Sequence, residues 1–420
     1  MAGVRKWEFK TKFRANAYGW SGSRLAIDRL KAAVAEIKSV AKLDPVMAGD
    51  GVVSLAERIW PAFQGIDSSS GALGSAVFRT LEELIPLLIA APAEPATRRK
   101  WLTRLFEAVQ NDGVDYLSPL EDRWGEIAQY PELLNEYANL MIGMVRRAWA
   151  DHKTFSHVTG TSICLSCLLE LGRYDDLQEL LAIHRTKFWP WHKFGAQALV
   201  RQGLWEAAIA FAEAARAQTN PGNHETSIAR FCETTLIGRR RLDEAYQGYG
   251  LRAARGTTNL AVYRSLLRAY PDRDRRQVLQ DLIQSRGDKG KWFAAAKDAG
   301  FFDIAIECAA AYDAEPSTLV RAARDFQSKE PKFAATVALL ALSSCLNGGG
   351  YDPQPAEATD ATKYLLAASR EIAALDWAVG ELGKLTEQRC APGREAFQLA
   401  IKAAVSRWLQ DAPNPEGPIK

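Results

Sequence analysis

A short phrase recurs in the second half of the chain. It reads Gly172-Arg-Tyr-Asp-Asp-Leu177, Gly203-Leu-Trp-Glu-Ala-Ala208, Gly238-Arg-Arg-Arg-Leu-Asp-Glu-Ala245 and Gly300-Phe-Phe-Asp-Ile-Ala305. The starts lie 31, 35 and 62 residues apart, and 62 is twice 31. A period of this length marks stacked helix pairs, each burying its core against its neighbours, an α-solenoid. Two further breakers, Tyr270-Pro271-Asp272 and Glu330-Pro331, fall where the period expects turns but carry no glycine. The logic is clearest at Gly203. Glycine ends one helix and allows the turn. Trp205 fills the gap between helices, and Glu206 meets the positive end of the next helix dipole. Ala208, Ala212 and Ala215 then keep that helix close to its neighbours.

The front half predicts helices without a regular repeat. Ile27, Leu30, Val34, Ile37 and Ala41 form one apolar stripe from Ser23 until Asp44-Pro45 ends it. Further helices are expected over 52–64, 71–90 with Pro86 inside, Pro95 to Asn111, 118–129 and 131–150. There are no strand pairs, no Asn-Gly hairpins and no β-α alternation, so the fold class is all-α. The expected organisation is a basic, aromatic arm over 1–20, irregular helical hairpins over 21–154 and a solenoid over 155–345. A flexible loop over 346–358, a helical cap over 359–410 and a disordered tail over 411–420 complete it. In the arm, Trp7, Phe9, Thr11 and Phe13 alternate with Lys6, Glu8, Lys10, Lys12 and Arg14, a period of two that predicts extended backbone.

The run Gly203-Leu-Trp205-Glu-Ala-Ala208-Ile-Ala-Phe-Ala212-Glu-Ala-Ala215 resembles the second half of a tetratricopeptide repeat, and Gly172, Gly238 and Gly300 head weaker copies. The resemblance covers about 155–335 and implies a degenerate tetratricopeptide-like stack whose first helices line a concave binding face. The front segment Ile59-Trp-Pro-Ala-Phe-Gln-Gly-Ile-Asp67-Ser-Ser-Ser-Gly-Ala-Leu-Gly74, taken with the rear repeats, resembles an uncharacterised family of bacterial helical proteins. That likeness implies a bacterial source and no known activity.

The segments that suggest chemistry each have a plainer account. Cys164-Leu-Ser-Cys167, with His152 and His157 upstream, has four groups of the kind that hold zinc. No second CxxC exists, and aligning the repeats puts Cys164 at the same core-facing position as Cys232. Asp67 and the serines after it are expected to cap the helix at 71–90, with an anion at that helix start as the sharper alternative. In Phe188-Trp189-Pro190-Trp191-His192-Lys193-Phe194, extended backbone puts both tryptophans on one face. Helical backbone separates them by about 200° and leaves one exposed. Five scattered histidines, with no Gly-x-Ser-x-Gly, HExxH or Gly-x-Gly-x-x-Gly, support no catalytic class and imply no cofactor. The absence of an apolar leader or a 20-residue apolar run, with six cysteines in no framework, fits a cytoplasmic chain that does not enter a membrane.

Partner signals remain. The expected function is a non-enzymatic scaffold binding a protein or peptide. Its inward polar row, from the repeat alignment, is Ser162 and Ser166, Lys193 and Gln197, Arg230 and Thr234, then Tyr263, a set suited to an acidic peptide or a peptide carboxylate. The alternative is nucleic-acid binding. Net charge is only +3, yet residues 1–31 hold eight Lys/Arg against two acids, and residues 238–298 hold fourteen against seven. Lys6, Lys10, Lys12 and Arg14, then Arg239, Arg240, Arg241, Arg275 and Arg276, would supply phosphate contacts, with interleaved aromatics for stacking.

Overall fold

The computed structural model describes residues 6–151, 158–218, 224–311 and 314–411. Among these residues every regular element is helical and no strand occurs. The chain forms two compact units, 1–231 and 232–420.

In the first unit, α1 (Ser23–Ala41), α2 (Pro45–Phe63) and α3 (Ala72–Ala90) pack on one another, and α4 (Pro95–Gln110) packs on α2. Helix α2 is apolar around most of its circumference, with Ala48, Val52, Val53, Leu55, Ala56 and Ile59 all buried. Asp44 caps it by accepting the Met47 N–H at 2.9 Å, and Pro45 occupies the first helical position. The helix therefore starts earlier than residue 52. Gly49 and Gly51 weaken its first two turns as a helix signal, but they make room for rings. A Cβ at either would sit 2.5 Å from Trp101 or Trp7.

The N-terminal segment is folded onto this core. Glu8–Thr11 is a 3-10 turn rather than extended backbone. The Glu36 carboxylate of α1 accepts the N–H groups of Glu8 and Phe9 at 2.9 and 3.2 Å. Trp7, Phe9, Phe13 and Tyr18 are buried in a chain of ring contacts that ends on Phe63. The alternation correctly separated aromatic from basic residues; the backbone that achieves it is tighter than a strand. Asp67 closes its own turn by accepting the Ser69 N–H, while Ser70 Oγ accepts from Ala72. The residue at the start of α3 is Gly71, left-handed and with no side-chain cap, so the expected cap falls to Ser70 alone.

Two short helices, α5 (Ser118–Asp122) and α6 (Trp124–Ala128), replace the single one expected over 118–129, and α7 (Pro131–Ala150) follows. Arg98 on α4 is fully buried and ties three helices together. It donates to the carbonyls of Leu88 and Ala91 at the end of α3 and to Ile127 of α6, at 3.3, 2.5 and 2.6 Å. A guanidinium at two helix C-termini meets the negative ends of both dipoles.

From here the recurring phrase becomes geometry. Helices α8 (Thr161–Glu170) and α9 (Tyr174–Ile183) flank Gly172, and α10 (Trp189–Arg201) and α11 (Trp205–Gln218) flank Gly203. In each turn the glycine is left-handed, at φ +70° and +79°, and the next residue donates back to a carbonyl five residues earlier, Arg173 to Leu168 and Leu204 to Leu199. This is the glycine-terminated helix end of the Schellman type. Phe301 to Ala296 across Gly300 repeats it.

The third copy differs from its sequence alignment. Helix α12 (Glu225–Gly238) runs through Gly238, and the left-handed residue is Arg240, with Arg241 donating to Leu236. A fifth copy lies at Ala373, where Ala374 donates to Ser369. The residue five beyond each left-handed position is Leu177, Ala208, Ala245, Ala305 or Ala378, and all five are fully buried.

In the second unit, α13 (Leu242–Ala245) passes through one π turn (Tyr246–Gly250) into α14 (Leu251–Ala253). There the Tyr246 hydroxyl donates to Asp281 at 2.6 Å. Helices α15 (Asn259–Ala269), α16 (Arg275–Arg286), α17 (Phe293–Asp298) and α18 (Phe302–Ala309) follow, with a 3-10 turn at Lys289–Trp292. Turns fall at Tyr270–Asp274 and just before Pro331, as the period predicts. Helices α19 (Pro316–Phe326), α20 (Pro331–Leu346), α21 (Pro355–Glu371), α22 (Leu375–Glu387) and α23 (Glu395–Asp411) complete the unit. Residues 347–354 link α20 to α21. Among the described residues no helix is long and apolar enough to cross a membrane.

Candidate functional site

A cleft of about 650 Å³ opens in the first unit. The loop before α5 and α5 itself supply Asp115, Ser118, Glu121 and Asp122; α8 supplies Thr161 and Ser162, with Val158 just before it. The start of α10 supplies Phe188, Trp189, Pro190, Trp191 and Lys193, and the start of α12 supplies His224 and Ser227. One wall is therefore built from α8 and the starts of α10 and α12, each of which precedes one of the left-handed turns at Gly172, Gly203 and Arg240.

Local bonds set the acidic wall. The Asp112 carboxylate accepts the N–H groups of Val114 and Leu117 at 3.3 and 2.7 Å, which folds the loop and turns Asp115 into a left-handed conformation. Gly113 lies against the face of Trp60, where a Cβ would approach to 2.5 Å. Ser166 Oγ accepts from Gly125 N–H and donates to the Asp122 carbonyl, tying α8 to the junction of α5 and α6. Lys193 Nζ reaches Asp122 at 2.5 Å. Burial, then the like charges of Asp122, Asp115 and Asp112, push the Glu121 carboxyl up to about 8.

Behind the α10 wall lies an aromatic and imidazole cluster. Trp191 packs on Trp149 and His184 at 5.2 and 4.9 Å, while Trp189 packs on Phe231 at 5.5 Å. Both tryptophans are buried although the segment is helical from Trp189, because separate neighbours cover their two directions. His192 stacks on Phe211 and lies 6.0 Å from His184. Trp149 Nε1, His184 Nδ1 and both His192 nitrogens find no hydrogen-bond partner among the described residues. Burial, with His184 and Lys187 nearby, pulls His192 down to about 4.

The structure sorts the sequence candidates. Ser162 and Lys193 line the cleft; Ser166 is buried and structural. Gln197 is half-buried, and Arg230 and Thr234 are exposed, outside the cleft lining. Tyr263 is corrected: it is 1% exposed and its hydroxyl donates to the Arg275 carbonyl, so it is a core residue. Asp115, Glu121 and Asp122 were missed, because nothing in their spacing shows that a loop and a five-residue helix bring them to the cleft beside α8 and α10.

Cys164, Cys167 and Cys232 are all fully buried. Desolvation pushes the Cys164 thiol up to about 12 and the Cys167 thiol well above its usual range, opposite to what a thiolate ligand needs. His152 and His157 lie outside the described residues.

Of the candidate nucleic-acid contacts, Lys6, Lys12 and Arg14 are exposed and Lys10 is half-buried, but the aromatics between them face the core. Arg241 pairs with Glu244 and Arg276 with Asp303, while Arg239, Arg240 and Arg275 are exposed. No protein-family model and no curated protein matches this chain.

Proposed function

We propose that this chain is a non-catalytic helical-repeat binding protein that holds an extended segment of a protein partner in the cleft of its first unit. The observation that carries the reading is the placement of Ser162, Lys193 and Ser227 in one cleft. They come from α8, α10 and α12, the first helices of successive pairs. First helices line the binding face in tetratricopeptide-like stacks, which the recurring turns resemble. A concave site with an apolar wall and a few convergent polar groups suits a peptide.

The test is photo-crosslinking from a residue on the cleft rim, followed by mass spectrometry, with the wild type beside Ser162→Trp and Ser227→Trp. Both substitutions put an indole into the cleft. Partners crosslinked to the wild type should be lost from both variants while the helical circular dichroism is kept. An unchanged partner set in folded variants overturns the reading. A second reading, nucleic-acid binding, draws support from the exposed Lys6, Lys12, Arg14, Arg239, Arg240 and Arg275.

A further inference from the structure

We infer that the partner segment enters this cleft with a positively charged side chain, a lysine or an arginine, whose charge sits against Asp115 and Glu121. The inference rests on the docking reading and adds the chemistry of the occupant. It reverses the sign that the polar row suggested in sequence, where Lys193 and Arg230 pointed to an acidic peptide.

The lining decides the sign. It holds three carboxylates, Asp115, Glu121 and Asp122, against one lysine. Lys193 is already committed to Asp122 at 2.5 Å, so it offers an incoming anion little. Arg230, the other expected cation, is not part of the lining. Asp112 stands behind the acidic wall with its oxygens bonded to backbone N–H groups, and it adds negative potential. With Asp122 paired to Lys193 and Glu121 holding its proton at neutral pH, an anionic ligand would meet the charge of Asp115, backed by Asp112, in a mostly apolar space where desolvation strengthens repulsion.

A cation gains on two counts. Val158, Phe188 and Pro190 provide apolar surface for the aliphatic stem of a lysine or arginine. The charged end replaces the proton that Glu121 retains in the empty cleft, so binding releases a proton near neutral pH. The groups facing Glu121 are Asp112 and Asp115 from the loop, Asp122 from α5, and Gly160, whose N–H acts the other way. The other ionisable groups of the cleft are Lys193 from α10, and His224, which burial pulls down.

The experiment uses the full chain and pools of end-blocked hexapeptides, random except at one position fixed as Lys, Nε-acetyl-lysine or Glu. Binding is read by fluorescence polarisation at pH 6.5 and 8.5 for the wild type, Asp115→Asn and Glu121→Gln. The Lys pool should bind at least tenfold more tightly than the other two. Its affinity should rise roughly tenfold from pH 6.5 to 8.5 as Glu121 gives up its proton more readily, since the lysine itself stays charged to about pH 10. Glu121→Gln should flatten that rise, and Asp115→Asn should weaken the Lys pool at both pH values. Equal binding of the acetyl-lysine or Glu pool overturns the cationic assignment and leaves the docking reading standing. If no pool binds, and Ser162→Trp captures the same crosslinked partners as the wild type, both fail.

Discussion

Burial works against the charge of both Glu121 and His192, and the two tilt stability in opposite directions with pH. Glu121 has its carboxyl raised from 4.5 to about 8. The stability it lends is complete below about pH 4.5 and is lost as pH climbs to about 8, because the unfolded chain gives up that proton first. His192 is pulled from 6.5 to about 4, so its contribution is present above 6.5 and is lost as pH falls toward 4. Urea unfolding from pH 4 to 9 should separate them. Glu121→Gln should remove the decline above pH 5, worth on the order of 1–3 kcal/mol by pH 8. His192→Phe should remove the acid-side loss while keeping the stack on Phe211, and should raise stability because two buried nitrogens no longer lack partners. Neither residue announces this in sequence. Cys164 was legible because aligning the recurring phrase matches it to Cys232, and both are buried; Glu121 was not, because its environment is assembled from segments with no shared period.

At the scale of the helix and its end, the chain places five different residues in one left-handed position. Gly172, Gly203 and Gly300 adopt it without a Cβ, and a Cβ at any of them would meet open space. Only backbone strain therefore decides what is tolerated there. Gly203→Ala should cost about 1 kcal/mol, while Ala373→Gly, at φ +52°, should gain up to about 1 kcal/mol at an equivalent turn. Paired thermal melts check both signs, and a loss in both would mean that unfolded-chain entropy, not strain, dominates. The same position explains what the sequence revealed and what it hid. Glycine marks three turns openly, but Arg240 and Ala373 make the same turn through the same backfolded hydrogen bond, and no residue type marks them. Arg98 belongs to this scale too. Read alone it is one more charge on a helix, yet it closes the ends of α3 and α6 with three bonds. Arg98→Met leaves those carbonyls unpaired and should cost about 2–4 kcal/mol in chemical unfolding.

For the whole molecule, the contrast between a net charge of +3 and two basic stretches takes on a different meaning once the structure assigns partners. Acids inside the 238–298 stretch, and just beyond it, sit on its cations: Glu244 on Arg241, Asp243 on Arg273, Asp303 on Arg276, Glu307 on Lys289 and Asp288 on Lys291. Arg273 also lies over the Tyr246 ring at 4.4 Å. Such surface pairs add little stability, but each reduces the charge available to a phosphate. At the N-terminus the rings interleaved with the basic residues, Trp7, Phe9 and Phe13, are held in the core, and of the arm's rings Trp20 is exposed. Linear alternation could not reveal this, because it separates two faces without saying which face is covered. Any nucleic-acid binding should therefore be electrostatic and shallow. In a mobility-shift titration with single-stranded and duplex DNA, a shift at 50 mM salt should disappear by about 200 mM and show no preference for single strands. A complex that survives 200 mM salt, or one that favours single strands through stacking, would return the basic arm to the centre of the function and displace the cleft.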